Sequence, residues 1–91
     1  YANPSDLLDK VDAFVVAVPT ANHASVASPF LKRGVSTLVE KPISFSVDQA
    51  REMVRLARQH RSVLMVGHLE RFNPSWQAVR NANFKPRFVD V

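Results

Sequence analysis

Three short apolar runs, separated by longer segments with helical periodicity, constrain the fold of this chain more than any other feature. They cover residues 12–18, 36–40 and 63–67. Runs of this length that are rich in valine and bounded by turn residues are typical of strands buried on both faces of a parallel sheet. The alternation predicts an α/β fold of order β-α-β-α-β-α-β with right-handed crossovers, which is half of a doubly wound sheet.

The first helix is expected to begin with Thr20 or Asn22 as its cap and to run to about residue 33, where Gly34 supplies the stop. Pro29 lies inside this segment and removes a helical hydrogen bond, so we expect a kink or a short first segment there. The residues expected on the buried face are Val26, Ala27, Phe30 and Leu31.

The second helix is expected to begin at Ser46, where Gln49 completes a capping box in which each side chain satisfies the other residue's exposed amide. Its apolar positions are Ala50, Met53, Val54 and Ala57, with Leu56 beside them and arginines opposite. A third helix opens with the Asn-Pro pair at 73–74 and is expected to end near Asn81. A last strand is predicted over residues 86–91.

Composition indicates one globular unit. The 91 residues are 46% hydrophobic and 22% charged, which is enough for one core but short for a two-domain enzyme. The absence of cysteine excludes disulfides, thiolate metal ligands and a cysteine nucleophile, and is compatible with a reducing compartment. Because no apolar run has membrane-spanning length and no signal pattern opens the chain, we expect a soluble, cytoplasmic protein without a membrane partner.

The net charge of +4 and the pI near 10.1 raise the hypothesis of a nucleic-acid-binding domain. Much of the excess charge falls on the second predicted helix, at Arg51, Arg55, Arg58 and Arg61. No aromatic residues interleave with these arginines, as a base-stacking platform requires. A solvated helix face is therefore the favoured interpretation, and no nucleic-acid partner is expected.

Polar residues follow all three predicted strands. They are Thr20, Asn22 and His23 after the first, Glu40 and Lys41 after the second, and His68, Glu70 and Arg71 after the third. Because the carboxyl ends of parallel strands lie at one edge of a sheet, these residues are expected to share a crevice of the kind in which open α/β sheets bind ligands. The Glu-Lys pair is the most informative member, since Pro42 forces a turn directly after it.

Several of these residues also have a purely structural interpretation. His23 is about equally compatible with a first-turn helix residue that hydrogen-bonds a nearby carbonyl. For His68, a satisfied core histidine is favoured over a catalytic one. Glu40 and Lys41 could form a surface ion pair worth less than about 1 kcal/mol.

Further observations limit the ligand. Arg71 could pair with Glu70 or Asp90, or bind an anionic group. The histidines lack zinc-ligand spacing and the carboxylates form no cluster, so no metal site is expected. The only glycines, Gly34 and Gly67, form no phosphate-binding motif. A nucleotide could therefore be held here only at its sugar or base end.

Three blocks of sequence carry a family resemblance. They are Val-Asp-Ala-Phe-Val-Val-Ala-Val-Pro-Thr-Ala-Asn-His at 11–23, Val-Glu-Lys-Pro at 39–42 and Gly-His-Leu-Glu-Arg-Phe-Asn-Pro at 67–74. In order and spacing they resemble the glucose-fructose oxidoreductase, inositol dehydrogenase and MocA-like (Gfo/Idh/MocA) dehydrogenases. The resemblance implies that residues 1–82 are the second half of a Rossmann NAD(P)-binding domain, and that residues 83–91 begin an α+β substrate and oligomerisation domain.

The resemblance also implies roles for single residues. Glu40 would contact the nicotinamide ribose, and Lys41 would be catalytic, meeting the substrate hydroxyl and helping its proton leave while hydride moves to the nicotinamide. The bond before Pro42 is often cis in the family, which would aim Lys41 inward. The implied cofactor-binding residues are Pro19, Thr20, His23, Glu40, Lys41, Pro42 and Arg71. Leu69 departs from the asparagine that many members carry there to reach the nicotinamide.

We therefore expect an NAD- or NADP-dependent dehydrogenase of a sugar, nucleotide sugar or polyol, homo-oligomeric when complete, of which these residues are a part that is inactive alone. The block at 67–74 resembles that of members acting on nucleotide-linked amino sugars. The alternative is a non-catalytic cofactor- or ligand-binding module of the same fold. A basic nucleic-acid-binding domain is the least favoured hypothesis.

Overall fold

The computed structural model describes residues 3–82 and 87–88. These residues form one parallel sheet of three strands, β1 (Ala13–Val16), β2 (Ser36–Val39) and β3 (Leu64–Val66), in the order β1-β2-β3. A helix follows each strand: α1 (His23–Lys32), α2 (Val47–Gln59) and α3 (Pro74–Asn81). The predicted α/β order and parallel sheet are confirmed, and each strand is shorter than the apolar run that predicted it.

Short 3-10 turns complete the described chain. They lie at Pro4–Leu7, Thr20–Asn22 and Leu69–Phe72. Of the strand predicted over residues 86–91, only Arg87 and Phe88 belong to the described residues, and the domain boundary expected after residue 82 borders positions outside them. None of the helices in the described ranges combines the length and the apolar character needed to cross a membrane.

The C-terminal end of α1 is closed as the sequence predicts. Gly34 has a φ of 78°, which glycine adopts without the clash that a Cβ would cause. Its N–H donates to the Leu31 carbonyl at 3.1 Å, and the Val35 N–H donates to the Phe30 carbonyl at 3.0 Å. These two bonds make a Schellman motif. Pro29 lies inside α1 and does not divide it, since the helix is continuous through this position.

The start of α2 differs in one respect from the predicted capping box. The Ser46 hydroxyl accepts the Gln49 N–H at 3.5 Å, as expected. The Gln49 side chain does not return the contact directly: it accepts a hydrogen bond from the Ser44 hydroxyl at 2.6 Å, and that hydroxyl accepts the Ser46 N–H at 3.1 Å. Ser44 can take this intermediate place because a hydroxyl donates and accepts at once.

The core lies between the sheet and the helices α1 and α2. It consists of Val16, Ala27, Leu31, Val39, Met53, Leu56 and Ala57. Phe14 and Phe30 stack beside it, with ring centroids 3.8 Å apart. The sequence placed Val54 on the buried face of α2 and Leu56 beside that face. In the structure Leu56 is the buried residue, at 3% exposure, and Val54 is 38% exposed. At about 100° per residue, positions two apart point in nearly opposite directions, so a face that buries Leu56 turns Val54 outward.

The other face of the sheet is open in the part of the chain that the structure describes. Val15, Leu38 and Met65 are neighbours in the strand register, and Val15 and Met65 are 62% and 52% exposed. A doubly wound sheet carries helices on both faces. This row is therefore the surface on which a second helical layer would pack.

Replacing Met53 by alanine is expected to lower the free energy of unfolding by about 2–5 kcal/mol, the usual cost of truncating a fully buried methionine. Met65→Ala is the matched control, because Met53 is 0% and Met65 52% exposed, and we expect it to cost less than about 1 kcal/mol. Urea denaturation followed by circular dichroism measures both changes. Equal losses for the two variants would contradict this core.

Candidate functional site

The carboxyl edge of the sheet is held together by backbone hydrogen bonds that continue beyond the strands. The Glu40 N–H donates to the Val16 carbonyl at 3.0 Å, and the Gly67 N–H donates to the Val39 carbonyl at 2.8 Å. Glu40 therefore enters the edge beside β1, and Gly67 enters it beside β2. The residues directly after the second and third strands are adjacent, as the parallel order predicts.

Glu40 lies with its carboxylate over Gly67. A Cβ built on Gly67 would be 3.3 Å from the carboxyl carbon and from both oxygens of Glu40, which is closer than ordinary van der Waals contact. Only glycine at this position leaves the carboxylate where it is. The same carboxylate accepts the Lys41 backbone N–H on Oε2 at 3.2 Å, so the acidic side chain stabilises the start of the following turn.

The Lys41 side chain is exposed, and the peptide bond between Lys41 and Pro42 is cis, as the resemblance implies. Among the described residues the ion pairs are Arg33–Asp9, Arg51–Asp48 and Arg55–Glu52. The structure therefore does not contain the surface ion pair between Glu40 and Lys41 that was considered as an alternative. The Lys41 amino group stays available to a ligand.

A cleft of about 270 Å³ opens at this edge, lined by Glu40, Lys41, Gly67, His68, Leu69 and Glu70. It brings together the ends of the second and third strands. His68 is exposed at the cleft, so it is not the satisfied core histidine of the structural interpretation. The expectation that His68 and Glu70 share the crevice agrees with this lining, although the resemblance implies no cofactor or catalytic role for either residue.

Arg71 lies beside this cleft and is not part of its lining. It is exposed in the 3-10 turn after β3. Glu70, one of its two expected partners, instead accepts a hydrogen bond from the Asn73 side chain at 2.8 Å. The other, Asp90, lies outside the described residues. A cofactor contact by Arg71 thus stays a prediction.

The end of the first strand contributes differently from what was expected. Pro19 is exposed and Thr20 is half-buried, at the beginning of a 3-10 turn. His23 is only 1% exposed, and its ring nitrogens lie 3.0 Å from the Pro42 carbonyl oxygen and 2.8 Å from that of Val18. The structure therefore matches the structural interpretation of His23, a first-turn helix residue that contacts nearby carbonyls, and does not match its implied place in the crevice lining.

Two arginines of α2, Arg51 and Arg55, contact acidic residues of their own helix. Arg55 donates to both oxygens of Glu52 at 2.7 and 2.6 Å and to Gln59 at 2.6 Å. The hydrogen bond from Arg55 lowers the pKa of Glu52, and the same bond raises the pKa of Arg55. These contacts agree with a solvated helix face.

A larger groove of about 590 Å³ runs along this side of α2, between apolar residues such as Ile43 and Val54 and the arginines. Its lining includes arginines but no carboxylate, histidine or lysine, and none of the polar residues predicted to follow the strands. Within residues 3–82 and 87–88, no group of three His, Cys, Asp or Glu side chains could hold a metal ion. The smaller cleft at the sheet edge is therefore the candidate site.

A sequence model of the oxidoreductase family with an NAD-binding Rossmann fold, Gfo/Idh/MocA, matches residues 1–68. The chain belongs to this family. The resemblance drawn from the three sequence blocks is thereby confirmed, and so is the α/β fold class. The family description also names the cofactor class, a nicotinamide dinucleotide.

Individual members of the Gfo/Idh/MocA family are similar along most of the chain. UDP-N-acetylglucosamine 3-dehydrogenase of Acidithiobacillus ferrooxidans is 35% identical over 86 residues, which are 93% of this chain and 28% of that protein. Inositol 2-dehydrogenase of Rhizobium meliloti is 35% identical over 81 residues, 89% of this chain and 24% of that protein. A solved structure of the first enzyme superposes with a TM-score of 0.84 at 33% identity, covering 92% of this chain and 27% of the other. The chain spans about a quarter of the length of these relatives.

Gly67→Ala is expected to shift the Glu40 carboxylate by a few tenths of an ångström and so to weaken its bond to the Lys41 amide, because the new methyl group would lie 3.3 Å from the carboxyl atoms. We expect the Lys41 amide to exchange with solvent faster and its NMR resonance to move toward its position in Glu40→Ala. The Glu40 amide, bonded to the Val16 carbonyl, is the internal control and should not change. An unaltered Lys41 amide in Gly67→Ala would contradict this contact.

Proposed function

We propose that this chain is part of an NAD- or NADP-dependent oxidoreductase that transfers hydride between the nicotinamide and a hydroxyl of a sugar, nucleotide sugar or polyol. The observation that carries the proposal is a cleft at the carboxyl edge of a parallel sheet whose lining includes both Glu40 and Lys41. Family membership supports the cofactor class. The names of the relatives, which refer to UDP-N-acetylglucosamine and to inositol, support the substrate class.

The chemistry of the cleft fits the sugar end of a dinucleotide. Glu40 uses Oε2 for the Lys41 N–H, which leaves Oε1 as an acceptor for a ribose hydroxyl. Gly67 provides a surface without a side chain beneath that carboxylate. When bound, the nicotinamide would supply the hydride acceptor or donor. The described residues offer no glycine-rich loop for the phosphates, so this part of the chain would hold the cofactor at its nicotinamide side.

Lys41 is proposed to act on the reacting hydroxyl. In oxidation its amine would accept the proton that the hydroxyl loses, and in reduction its ammonium would return a proton to the developing alkoxide. An ammonium suits this task because it is a compact charge with three donors on a flexible stem. Among the described residues no carboxylate pairs with it, so its hydrogen bonds are available to the substrate.

Residues around the cleft are proposed to complete the cofactor surface. Pro19 and Thr20 lie after β1, next to the edge that Glu40 enters. Pro42 would shape the cofactor surface because it belongs to the turn that carries Lys41. Arg71 would place a positive charge beside the cleft. His68 and Glu70 line the same cleft as Lys41, and we include them among the residues that face the ligand.

Lys41→Met tests the proposed proton transfer in the full-length protein that this proposal implies. With NAD⁺ or NADP⁺ and either UDP-N-acetylglucosamine or inositol, kcat/KM is expected to fall by about 10²- to 10⁴-fold, the usual contribution of a general acid-base group. The affinity for NADH or NADPH, measured by calorimetry, should change little. Lys32→Met is the matched control, because Lys32 is exposed on α1.

Full turnover by Lys41→Met would remove Lys41 from the mechanism. If the wild-type protein bound neither NADH nor NADPH, the oxidoreductase proposal itself would fail. Binding without turnover on any sugar or polyol would favour the non-catalytic module. The 91 residues alone are expected to give no turnover, and activity of this chain by itself would contradict the proposal that further segments complete the site.

A further inference from the structure

His23 joins two segments that leave the carboxyl edge of the sheet. Its Nε2 lies 2.8 Å from the carbonyl oxygen of Val18, which follows β1, and its Nδ1 lies 3.0 Å from that of Pro42, which follows β2. The side chain is 1% exposed, although it is the first residue of α1. A buried imidazole between two carbonyls is a cross-link and not a ligand-facing group.

The contact with Pro42 holds the turn after β2 at the residue that directly follows Lys41. Proline has no N–H, so its carbonyl is the only backbone polar group that Pro42 can use. Among the described residues, His23 is the group that satisfies this carbonyl. On the preceding side, the Lys41 N–H is held by the Glu40 carboxylate. The backbone that carries the Lys41 side chain is thus anchored once before and once after Lys41.

We propose that His23 is a positioning residue for Lys41: by donating from Nδ1 to the Pro42 carbonyl, it fixes the direction in which the lysine side chain leaves the turn. This proposal rests on the oxidoreductase function proposed above. In this role His23 contacts neither the cofactor nor the substrate. Its effect on catalysis comes through geometry, since an error of about 1 Å in the placement of a reacting group can cost about 100-fold in rate.

The protonation of the ring gives the first test. A neutral imidazole carries one N–H and can donate to only one of the two carbonyls, whereas an imidazolium donates to both. The proposal requires a proton on Nδ1 in either case. The ¹⁵N NMR signals of the His23 ring in the folded chain distinguish a protonated from an unprotonated Nδ1, and an unprotonated Nδ1 would overturn the proposal.

Two substitutions separate the two hydrogen bonds. The amide nitrogen of asparagine reaches about the place of a histidine Nδ1, and that of glutamine reaches about the place of Nε2. His23→Asn therefore retains a donor to Pro42, and His23→Gln retains one to Val18. The same exchanges at His60, which is exposed at the end of α2, are the matched controls and should leave kinetics and stability unchanged.

In the full-length protein, His23→Gln is expected to lower kcat by about 100-fold, the cost of a misplaced reacting group, with little change in KM. His23→Asn should remain within about tenfold of the wild type. Both variants lose one buried contact, so urea denaturation should show comparable losses of stability. If His23 only stabilised the fold, the activity of each variant would fall in proportion to its loss of stability. Equal kcat values for His23→Asn and His23→Gln would overturn the proposal.

A readout that needs no turnover keeps this proposal distinct from the proposed function. In the full-length protein without substrate, His23→Gln should speed hydrogen exchange at the Lys41 amide and His23→Asn should change it less. If the wild-type full-length protein bound neither NADH nor NADPH, the proposed function would fail, while the Lys41 amide would still decide whether His23 orders the turn. An amide that exchanges alike in wild type and His23→Gln would overturn the role of His23. If both variants failed to fold, the ¹⁵N spectrum of the wild-type ring would decide instead.

Discussion

The central place of β2 between two parallel neighbours is the constraint on which the site depends. Its ladder continues one residue past the strands, through the bonds from Glu40 to Val16 and from Gly67 to Val39. These bonds bring the ends of β2 and β3 together at one edge and place the Glu40 carboxylate over a residue without a side chain. The turn that carries Lys41 begins from this fixed point, so the position of the lysine backbone follows from the register of the sheet.

Features with a local cause were predictable from the sequence. The three strands follow from their apolar runs, the end of α1 follows from Gly34, and the beginning of α3 follows from Asn73, whose side chain accepts the Ser75 N–H at 2.9 Å. The convergence of Glu40 and the residues after β3 was also predictable, because it requires only that the sheet be parallel. Topology, rather than any single motif, located the cleft.

Features that depend on contacts between distant segments were not predictable. The burial of His23 depends on a carbonyl 19 residues away, which no local pattern reveals. Helical periodicity placed Val54 on the apolar face of α2 and Leu56 beside it, whereas in the packed structure Leu56 is buried and Val54 is exposed. The intermediate role of Ser44 depends on the shape of the loop that precedes α2. In each case several local arrangements are compatible with the sequence, and contacts with distant segments determine which of them forms.

The chain belongs to the Gfo/Idh/MocA family, and we propose that the cleft lined by Glu40 and Lys41 takes the nicotinamide end of the cofactor. A crystal structure of the full-length protein with NADH tests this assignment most directly. The account predicts the nicotinamide ring in the cleft lined by Glu40, Lys41 and His68, with a ribose hydroxyl on the Glu40 carboxylate. A nicotinamide bound elsewhere, with this cleft occupied only by solvent, would contradict it.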